Sequence, residues 1–410
     1  MLAYTEDGLP VSTSAVEPLD SSYLFGPDVV GDPFPVYHAL RPRTPFATDD
    51  GIWLLMKSDD VFAALTNHRA FSSDMKHTGN PVLSETPIIF DDPPRHTRHR
   101  RLVQYAFTAS RVAALEPFVA EVVDEVVDAI PDREVEAIGA FCDALPVIVI
   151  AQLMGIPREK HDEFKAWSDE RTFLVAVRGE PASEEQAARI AFAKAANQSL
   201  LDYFLSEARA RRAEPVDDLI GGLVAAHEGT DDLSDDEIAA ICALILTAGN
   251  VTTTNLLGNM LGLLADHPDV YDAVRSDRRL VPKVVEEVLR IESPVQWLYR
   301  RTTTEVVLGG VTIPEGASVI VYYGAANRDP AVHEDPDRFD PTVRRKRHAA
   351  FGHGIHFCLG APLARLEGKL ALDAILDRFE RVERGAAPAR RIRDAATHCG
   401  YRALPIRFRR

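Results

Sequence analysis

Hydrophobic residues recur at helical spacing over most of the chain. One clear run follows residue 358 and consists of Leu359, Leu363, Leu366 and Leu370. Residues three or four positions apart share one face of a helix, so this run predicts an amphipathic helix. Similar patterns fill residues 111–230 and 234–266. The sequence therefore predicts a mainly α protein with smaller β-sheets.

Strand patterns are shorter and fewer. Residues 46–56 read as two strands across an Asp-Asp-Gly turn, and residues 302–321 read as a hairpin-like segment. Residues 71–90 follow no pattern and predict a long loop, which inside a compact domain is usually functional or disordered. Residues 1–30 are rich in Pro, Ser, Asp and Gly, and predict an irregular surface segment.

Several helix boundaries carry local signals. Ser58 is a plausible cap for a helix over residues 58–65, and Pro93 and Pro94 fit the start of another. Ser234 and Glu237 form a capping box ahead of a helical pattern that ends near residue 266. That helix would be roughly 45 Å long, enough to cross a whole domain. Two further helices are predicted over residues 164–177 and 187–205, with a break at residues 179–181.

Composition excludes several classes of protein. A net charge of −16 argues against general nucleic-acid binding, and we find no signal-peptide pattern at the N-terminus. No run of about 20 apolar residues predicts a membrane span. The four cysteines are widely spaced and include no C-x-x-C pair, which argues against zinc, iron–sulfur clusters and disulfides. We expect a cytoplasmic protein, either one large domain or two by length alone.

Glycines surround one of the cysteines. Residues 351–360 read Phe-Gly-His-Gly-Ile-His-Phe-Cys-Leu-Gly, so Cys358 stands between Gly354 and Gly360 at the predicted start of a helix. Such glycines allow positive φ and close approach to a flat ligand. A thiolate at a helix N-terminus is favoured, and is a good axial ligand for haem iron. The alternative is that Cys358 is a small buried hydrophobe, as most free cysteines are.

The string Phe-x-x-Gly-x-x-x-Cys-x-Gly resembles the haem-ligand signature of the cytochrome P450 family, closest to its soluble bacterial members. The resemblance covers nearly the whole chain. It implies a single domain over residues 1–410, with haem b between the long central helix and the cysteine-ligand loop. It also implies that Cys358 ligates the iron, Phe351 packs near the sulfur, His356 reaches a haem propionate and Gly360 belongs to the cofactor site.

The same resemblance assigns further residues around the haem. His96 and Arg100, four apart on one helix face, match the family's propionate-binding segment, although a solvated basic face is the alternative. Arg300 matches a second propionate ligand, with Arg301 as the other possible register. The residues expected to contact substrate are Ile88, Leu244, Ala248, Val295 and Gln296.

The middle of the long helix carries poor helix formers, including Gly249 and several threonines. These small residues either permit close helix packing or mark a functional distortion. By the resemblance, Ala248, Gly249, Thr252 and Thr253 match the family's dioxygen groove, and Thr252 holds dioxygen and helps deliver protons. Val251 stands where the family has an acid, and neighbouring Asn250 is polar but cannot replenish a proton. The predicted catalytic residues are Thr252, Asn250 and Thr253.

Two charged motifs flank this machinery. Glu287 and Arg290 lie three apart, which alone indicates a surface pair, but their position matches the family's structural Glu-x-x-Arg pair. Residues 344–348 form a basic run just before the cysteine loop. That run is either a solubilising loop or a docking face for an acidic electron donor.

The resemblance implies a monooxygenase that inserts one oxygen atom from O2 into a small or medium apolar molecule, by hydroxylation or epoxidation. The chain carries no Gly-x-Gly-x-x-Gly nucleotide fingerprint, so electrons are expected from a separate ferredoxin and its NAD(P)H-dependent reductase. We expect a monomer. The alternatives are a peroxide-driven or non-hydroxylating haem-thiolate enzyme and a non-enzymatic haem sensor.

Overall fold

The computed structural model describes residues 19–76, 80–104, 109–177, 183–228 and 231–410. The helices are α1 (Ser21–Leu24), α2 (Pro27–Gly31), α3 (Phe34–Leu40), α4 (Ser58–Thr66), α5 (Pro81–Glu85), α6 (Arg95–Gln104), α7 (Ala109–Asp128), α8 (Ala144–Leu153), α9 (His161–Ala176), α10 (Glu184–Ala213), α11 (Leu219–Ala225), α12 (Asp235–Asp266), α13 (Pro268–Ser276), α14 (Val281–Ile291), α15 (Tyr323–Asn327) and α16 (Ala361–Arg378).

The strands are β1 (Phe46–Ala47), β2 (Trp53–Leu55), β3 (Phe71–Ser72), β4 (Glu134–Glu136), β5 (His227–Glu228), β6 (Asp231–Asp232), β7 (Trp297–Thr302), β8 (Val306–Leu308), β9 (Val311–Ile313), β10 (Ser318–Tyr322), β11 (Arg381–Arg384), β12 (Arg390–Arg391), β13 (Tyr401–Ala403) and β14 (Pro405–Arg409). The predicted fold class, mainly α with smaller sheets, is confirmed.

The chain forms two compact units, each made of three segments. The first unit comprises residues up to Ser73, Glu286–Cys358 and Ala389–Arg402; the second comprises Asp74–Val285, Leu359–Pro388 and Ala403–Arg410. The organisation of residues 1–410 as a single domain remains a prediction.

The first unit is built on a five-stranded sheet of order β1-β2-β10-β7-β3. The two strands predicted over residues 46–56 pair antiparallel, with Phe46 opposite Leu54. The segment 302–321 contains the β8–β9 hairpin and most of β10, which pairs antiparallel with β7. Alternate strand side chains are buried against α4 and α15, because successive residues of a strand point to opposite faces.

Two expectations for the first unit were wrong in detail. Within residues 19–30, predicted irregular, α1 and α2 form because Asp20 accepts from the Ser22 N–H at 2.7 Å and Pro27 begins the second helix. Ser58 is the first residue of α4 and makes no side-chain cap. Its N–H donates instead to the Asp329 carboxylate at 2.8 Å, a partner 271 positions away that local sequence cannot reveal.

The second unit is organised on α12, whose predicted start and end are confirmed. The Ser234 hydroxyl accepts from the Glu237 N–H at 3.2 Å, and the Glu237 carboxylate accepts from the Ser234 N–H at 2.9 Å. By length and composition α12 is the one described helix that could cross a membrane, yet 56% of its most apolar window is buried within protein. Such burial is expected of a core helix.

Helices α8, α9 and α10 pack against α12 in the second unit. The predicted helices over residues 164–177 and 187–205 correspond to α9 and α10. Helix α10 begins earlier than predicted because the Ser183 side chain caps it, accepting a hydrogen bond from the Gln186 N–H. The predicted break at residues 179–181 lies outside the described residues. The loop predicted over residues 71–90 contains β3 and the short helix α5.

Candidate active site

The first unit presents the predicted ligand on a closed loop. The Cys358 N–H donates to the carbonyl of Phe351 at 2.9 Å, and the side chain of Cys358 is exposed. The Phe351 ring is half-buried and lies edge to face with Phe357, with 6.4 Å between centroids. An exposed thiol held by its own backbone fits a ligand to an incoming metal, and does not fit a small buried core residue.

Two of the three glycines in this loop have the predicted left-handed backbone. Gly352 has φ +68° and Gly354 has φ +70°. A Cβ on Gly354 would lie 2.3 Å from the carbonyl oxygen of Leu65, so the loop passes too close to α4 for any side chain. Gly360, the N-cap of α16, has φ −80°, a value that other residues adopt freely, so the expectation of positive φ fails there.

The Glu287–Arg290 pair is buried, as expected of a scaffold and not of a surface pair. The guanidinium of Arg290 binds both carboxylate oxygens of Glu287 at 2.8 Å. It also donates to the carbonyls of Asn327, Pro336 and Arg338. Charged groups this deeply buried require such complete pairing. The pair therefore fixes the segment that leads into the cysteine loop.

Arg300 and Arg301 point in opposite directions along β7. Arg300 is buried and Arg301 is exposed, which favours Arg300 as the inward-facing residue. The Arg300 guanidinium donates to the Tyr299 carbonyl at 2.7 Å, and among the described residues no carboxylate forms an ion pair with it. A buried cation without an anionic partner is costly, so this arginine is suited to an anionic group such as a haem propionate.

His356 has a partner that the sequence did not suggest. Its Nε2 lies 3.0 Å from the Ser73 hydroxyl, within the first unit. This contact orients the ring at the end of the short 3-10 turn Gly354–His356. No motif links residues 283 positions apart, so sequence reasoning had no signal for Ser73.

The two predicted substrate contacts before β7 differ in orientation. Val295 is half-buried and bridges to His398, and its substrate role stays a prediction. Gln296 is buried: its Nε2 donates to the Ser293 carbonyl at 2.7 Å, and its amide fills the space beside Gly324. Neighbouring side chains of an extended segment point to opposite sides. Gln296 therefore points into the interior of the first unit, whereas Val295 points to the other side. The role of Gln296 as a substrate contact, like that of Val295, stays a prediction.

In the second unit, α12 separates the predicted catalytic residues by face. Leu244, Ala248 and Thr252 are spaced four apart on one face; Ala248 is exposed although its helix is mostly buried. Asn250 and Thr253 are buried on other faces. Asn250 donates to the Ser168 hydroxyl of α9 through a long 3.4 Å hydrogen bond. Residues two apart on a helix do not face each other, so Asn250 and Thr252 point in different directions, and the catalytic roles of Thr252, Asn250 and Thr253 stay predictions.

The helix α12 is unbroken at its predicted weak point. The hydroxyls of Thr247 and Thr252 donate to carbonyls one turn earlier, and the Thr252 hydroxyl lies 2.6 Å from the Ala248 carbonyl. A Cβ on Gly249 would lie 3.2 Å from Ile150 of α8. Gly249 thus permits close helix packing, which was the alternative to a functional distortion; its place in the cofactor site remains a prediction.

Helix α6 follows Pro93 and Pro94 closely, as expected, and carries the second predicted propionate pair. His96 is buried and Arg100 is half-buried. Ile88, a predicted substrate contact, is buried in the same hydrophobic cluster as Ala243 and Leu246, with the left-handed φ of 65°. A solvated basic face is therefore the wrong description of His96, whereas Arg95 and Arg101 on the same helix are exposed.

The comparisons with known proteins agree with this geometry. The sequence model described as "Cytochrome P450" matches residues 183–391. Cytochrome P450 107B1 of Saccharopolyspora erythraea is 42% identical over 87% of this chain and 89% of its own length. Cyclomarin C epoxidase CymV of Salinispora arenicola is 38% identical over 92% and 93%. The crystal structure of CYP109E1 from Bacillus megaterium in complex with testosterone superposes with a TM-score of 0.84, 33% identity and coverage of 93% and 99%.

An exposed thiol on a glycine loop, a buried arginine with no carboxylate partner among the described residues, and an alanine–threonine face on a central helix fit a haem-thiolate oxygenase. The chain belongs to the cytochrome P450 family. It is a monooxygenase whose cofactor is haem b, and it acts on small molecules with O2.

Proposed function

We propose that Cys358 is the thiolate ligand of the haem iron, and that the enzyme hydroxylates or epoxidises a small or medium apolar substrate. The observation that carries the proposal is the face of α12 on which Ala248 is exposed and Thr252 is half-buried, while most of the surrounding helix is buried. A small apolar residue next to a hydroxyl leaves room for a substrate and supplies one hydrogen-bonding group. When bound, haem with a thiolate ligand supplies the activation of dioxygen.

The residues of the chain would divide the remaining work. The residues proposed to bind haem propionates are His96, Arg100, Arg300 and His356. The Thr252 hydroxyl donates to the Ala248 carbonyl, which leaves its oxygen able to accept a hydrogen bond from a water molecule. By rotating, the same hydroxyl can donate into the reaction space, and so pass a proton there.

Substrate class is supported by the relatives. One relative is named as an epoxidase of cyclomarin C, and one solved neighbour holds testosterone. Both names point to medium-sized organic molecules with large apolar surfaces. On α12, the half-buried Leu244 and the exposed Ala248 offer apolar contacts for such a molecule.

Electrons are proposed to come from an acidic ferredoxin and its NAD(P)H-dependent reductase. Arg344, Lys346 and Arg347 are exposed immediately before the cysteine loop in a chain of net charge −16. Complementary charge chiefly raises the association rate of such partners. A cytoplasmic, monomeric enzyme is consistent with this proposal.

A peroxide-driven enzyme is the second candidate, and one observation favours it. Val251 occupies the family's acid position, and Asn250 turns away from Thr252 toward Ser168. A peroxide-driven reaction brings both protons and both electrons with the oxidant, so it does not depend on a relay that delivers protons from solvent through that position. A non-enzymatic sensor is disfavoured because relatives are named as hydroxylases and epoxidases.

Turnover experiments separate these candidates. Purified holoenzyme would be incubated with testosterone and a panel of macrolides and cyclic peptides, with ferredoxin, reductase and NADPH in one arm and peroxide in the other. Oxygenated product that requires the ferredoxin arm supports the proposal. Product formed only with peroxide supports the second candidate, and absence of product in both arms, despite spectral shifts on binding, would contradict both.

A further inference from the structure

A fully buried histidine on α6 bridges two carboxylates in the second unit. His99 Nδ1 lies 2.9 Å from Asp91 Oδ2, and its Nε2 lies 3.0 Å from Glu237 Oε1. Arg98 also binds Glu237, at 2.6 Å, and Arg95 lies 3.4 Å from Asp91. Although burial alone would raise it, hydrogen bonds from Arg98, His99 and the Ser234 N–H lower the pKa of Glu237 to about 2.

One end of this bridge holds an unusual backbone. Asp91 Oδ2 also accepts from the Ile88 N–H at 2.8 Å. Ile88 has φ 65°, and a β-branched residue in the left-handed region is a genuine outlier. Such a conformation persists only where its surroundings hold it. The Asp91 carboxylate supplies that restraint through a single buried hydrogen bond.

The other end of the bridge is the start of the central helix. Glu237 forms the capping box of α12 with Ser234 and binds His99 through the same carboxylate. One continuous set of hydrogen bonds therefore runs from the start of α12 through Glu237, His99 and Asp91 to Ile88. Buried polar networks of this kind are rigid when every member is satisfied.

We infer that Asp91 and His99 are positioning residues, which fix Ile88 relative to the α12 face of Ala248 and Thr252. This inference rests on the proposed function, because that face is its proposed substrate site and Ile88 is a substrate contact predicted from the sequence. The hydrogen bonds of this bridge thereby determine how much space lies between Ile88 and that face, and so control the affinity for bulky ligands. A small ligand that needs no contact with Ile88 is unaffected by the bridge.

Two iron-binding probes of different size test the inference in the ferric holoenzyme by spectral titration. Imidazole is the small probe and 4-phenylimidazole the bulky one. Asp91→Ala is expected to weaken 4-phenylimidazole about tenfold while changing imidazole affinity less than about twofold, the size expected when one strained backbone is released. Asp91→Asn keeps an oxygen for the Ile88 N–H and is expected to recover most of the loss.

Ser234→Ala is the matched control. It weakens the cap of α12 without touching Asp91 or Ile88, so it is expected to lower the melting temperature and leave the ratio of the two affinities unchanged. Equal changes in affinity for the two probes in Asp91→Ala, or no change for either probe in that variant, would overturn the inference. Failure of the proposed function is distinguishable, because wild-type protein would then show no thiolate-type carbon monoxide spectrum.

Discussion

Arg345 Nε lies 3.3 Å from Glu287 Oε1, on the same carboxylate that binds Arg290. Arg345 also donates to the carbonyls of Glu334 and Arg338. One arginine of the basic run is therefore part of the buried scaffold behind the cysteine loop. Its neighbours Arg344, Lys346 and Arg347 are exposed, and are the members of the run available to a partner protein.

Charge reversal should separate docking from scaffolding. Arg344→Glu combined with Lys346→Glu is expected to slow electron transfer from an acidic ferredoxin and to weaken its dependence on salt, because exposed charges act over only about 8 Å at physiological ionic strength. Stopped-flow reduction at several salt concentrations measures both effects. Arg345→Glu should instead reduce the yield of holoprotein, since it places a second carboxylate beside buried Glu287. An unchanged rate and salt slope in the double variant would place docking elsewhere.

Thr252 and Asn250 should have different effects on coupling. Thr252→Ala removes the hydroxyl on the Ala248 face and is expected to raise peroxide release per NADPH several-fold, because the group proposed to pass a proton to the reaction space is lost. Asn250→Ala removes a buried contact with Ser168 and is expected to lower stability with coupling retained. Peroxide and product yields with one substrate measure the difference. A comparable leak in Asn250→Ala would restore that residue to the proton path.

Two glycines of the ligand loop offer a matched comparison. Gly352→Ala meets nothing closer than 3.6 Å, so it carries only left-handed strain, about 1–2 kcal/mol. Gly354→Ala adds a clash 2.3 Å from the Leu65 carbonyl, and is expected to cost more than about 4 kcal/mol. The thermal unfolding temperature and the haem content of the two variants measure which substitution is the more damaging. Equal effects of the two substitutions would contradict the close approach to α4.

Glu367 on α16 gives a pH-dependent prediction. It is buried, and no described group forms a hydrogen bond with its Oε2, so burial raises its pKa from 4.5 to about 8. Between pH 4.5 and about 8, the Glu367 carboxyl is ionised in the unfolded chain but protonated in the folded protein. The folded protein therefore loses stability as the pH rises through this window. Glu367→Gln should therefore gain stability relative to wild type across this window, on the order of a few kcal/mol.

Thermal unfolding from pH 4 to 8 tests this expectation, with exposed Glu380→Gln as the control. The stability of the control should depend on pH in the same way as that of the wild type. If Glu367→Gln also ran parallel to wild type, the carboxylate would have to be stabilised as an anion in the fold, contrary to the structure.

Local signals in the sequence predicted local structure well. The capping box of Ser234 and Glu237 lies within one turn, so the local sequence alone predicted the start of α12. The relative directions of Asn250 and Thr252 could also be predicted from the sequence. At 3.6 residues per turn, residues 250 and 252 are about 200° apart around the helix axis, so their side chains point away from each other.

Distant partners could not be predicted in the same way. Ser73 with His356, Asp329 with the start of α4, and His99 with Glu237 join residues more than 130 positions apart. Nor could the sequence distinguish Arg345 from its basic neighbours, or choose the inward side of the segment that carries Val295 and Gln296. In each case the deciding term is burial, which depends on the folded chain.

The carbon monoxide spectrum of the reduced protein tests the central claim, that Cys358 ligates the haem iron. Freshly purified wild-type protein should absorb at the position typical of a thiolate ligand. Replacement of Cys142, Cys242 or Cys399 by Ala should leave that band unchanged, because all three thiols are buried, whereas Cys358 is exposed on its loop. A band typical of histidine ligation in the wild type, or a thiolate band that persists in Cys358→Ala, would contradict the account.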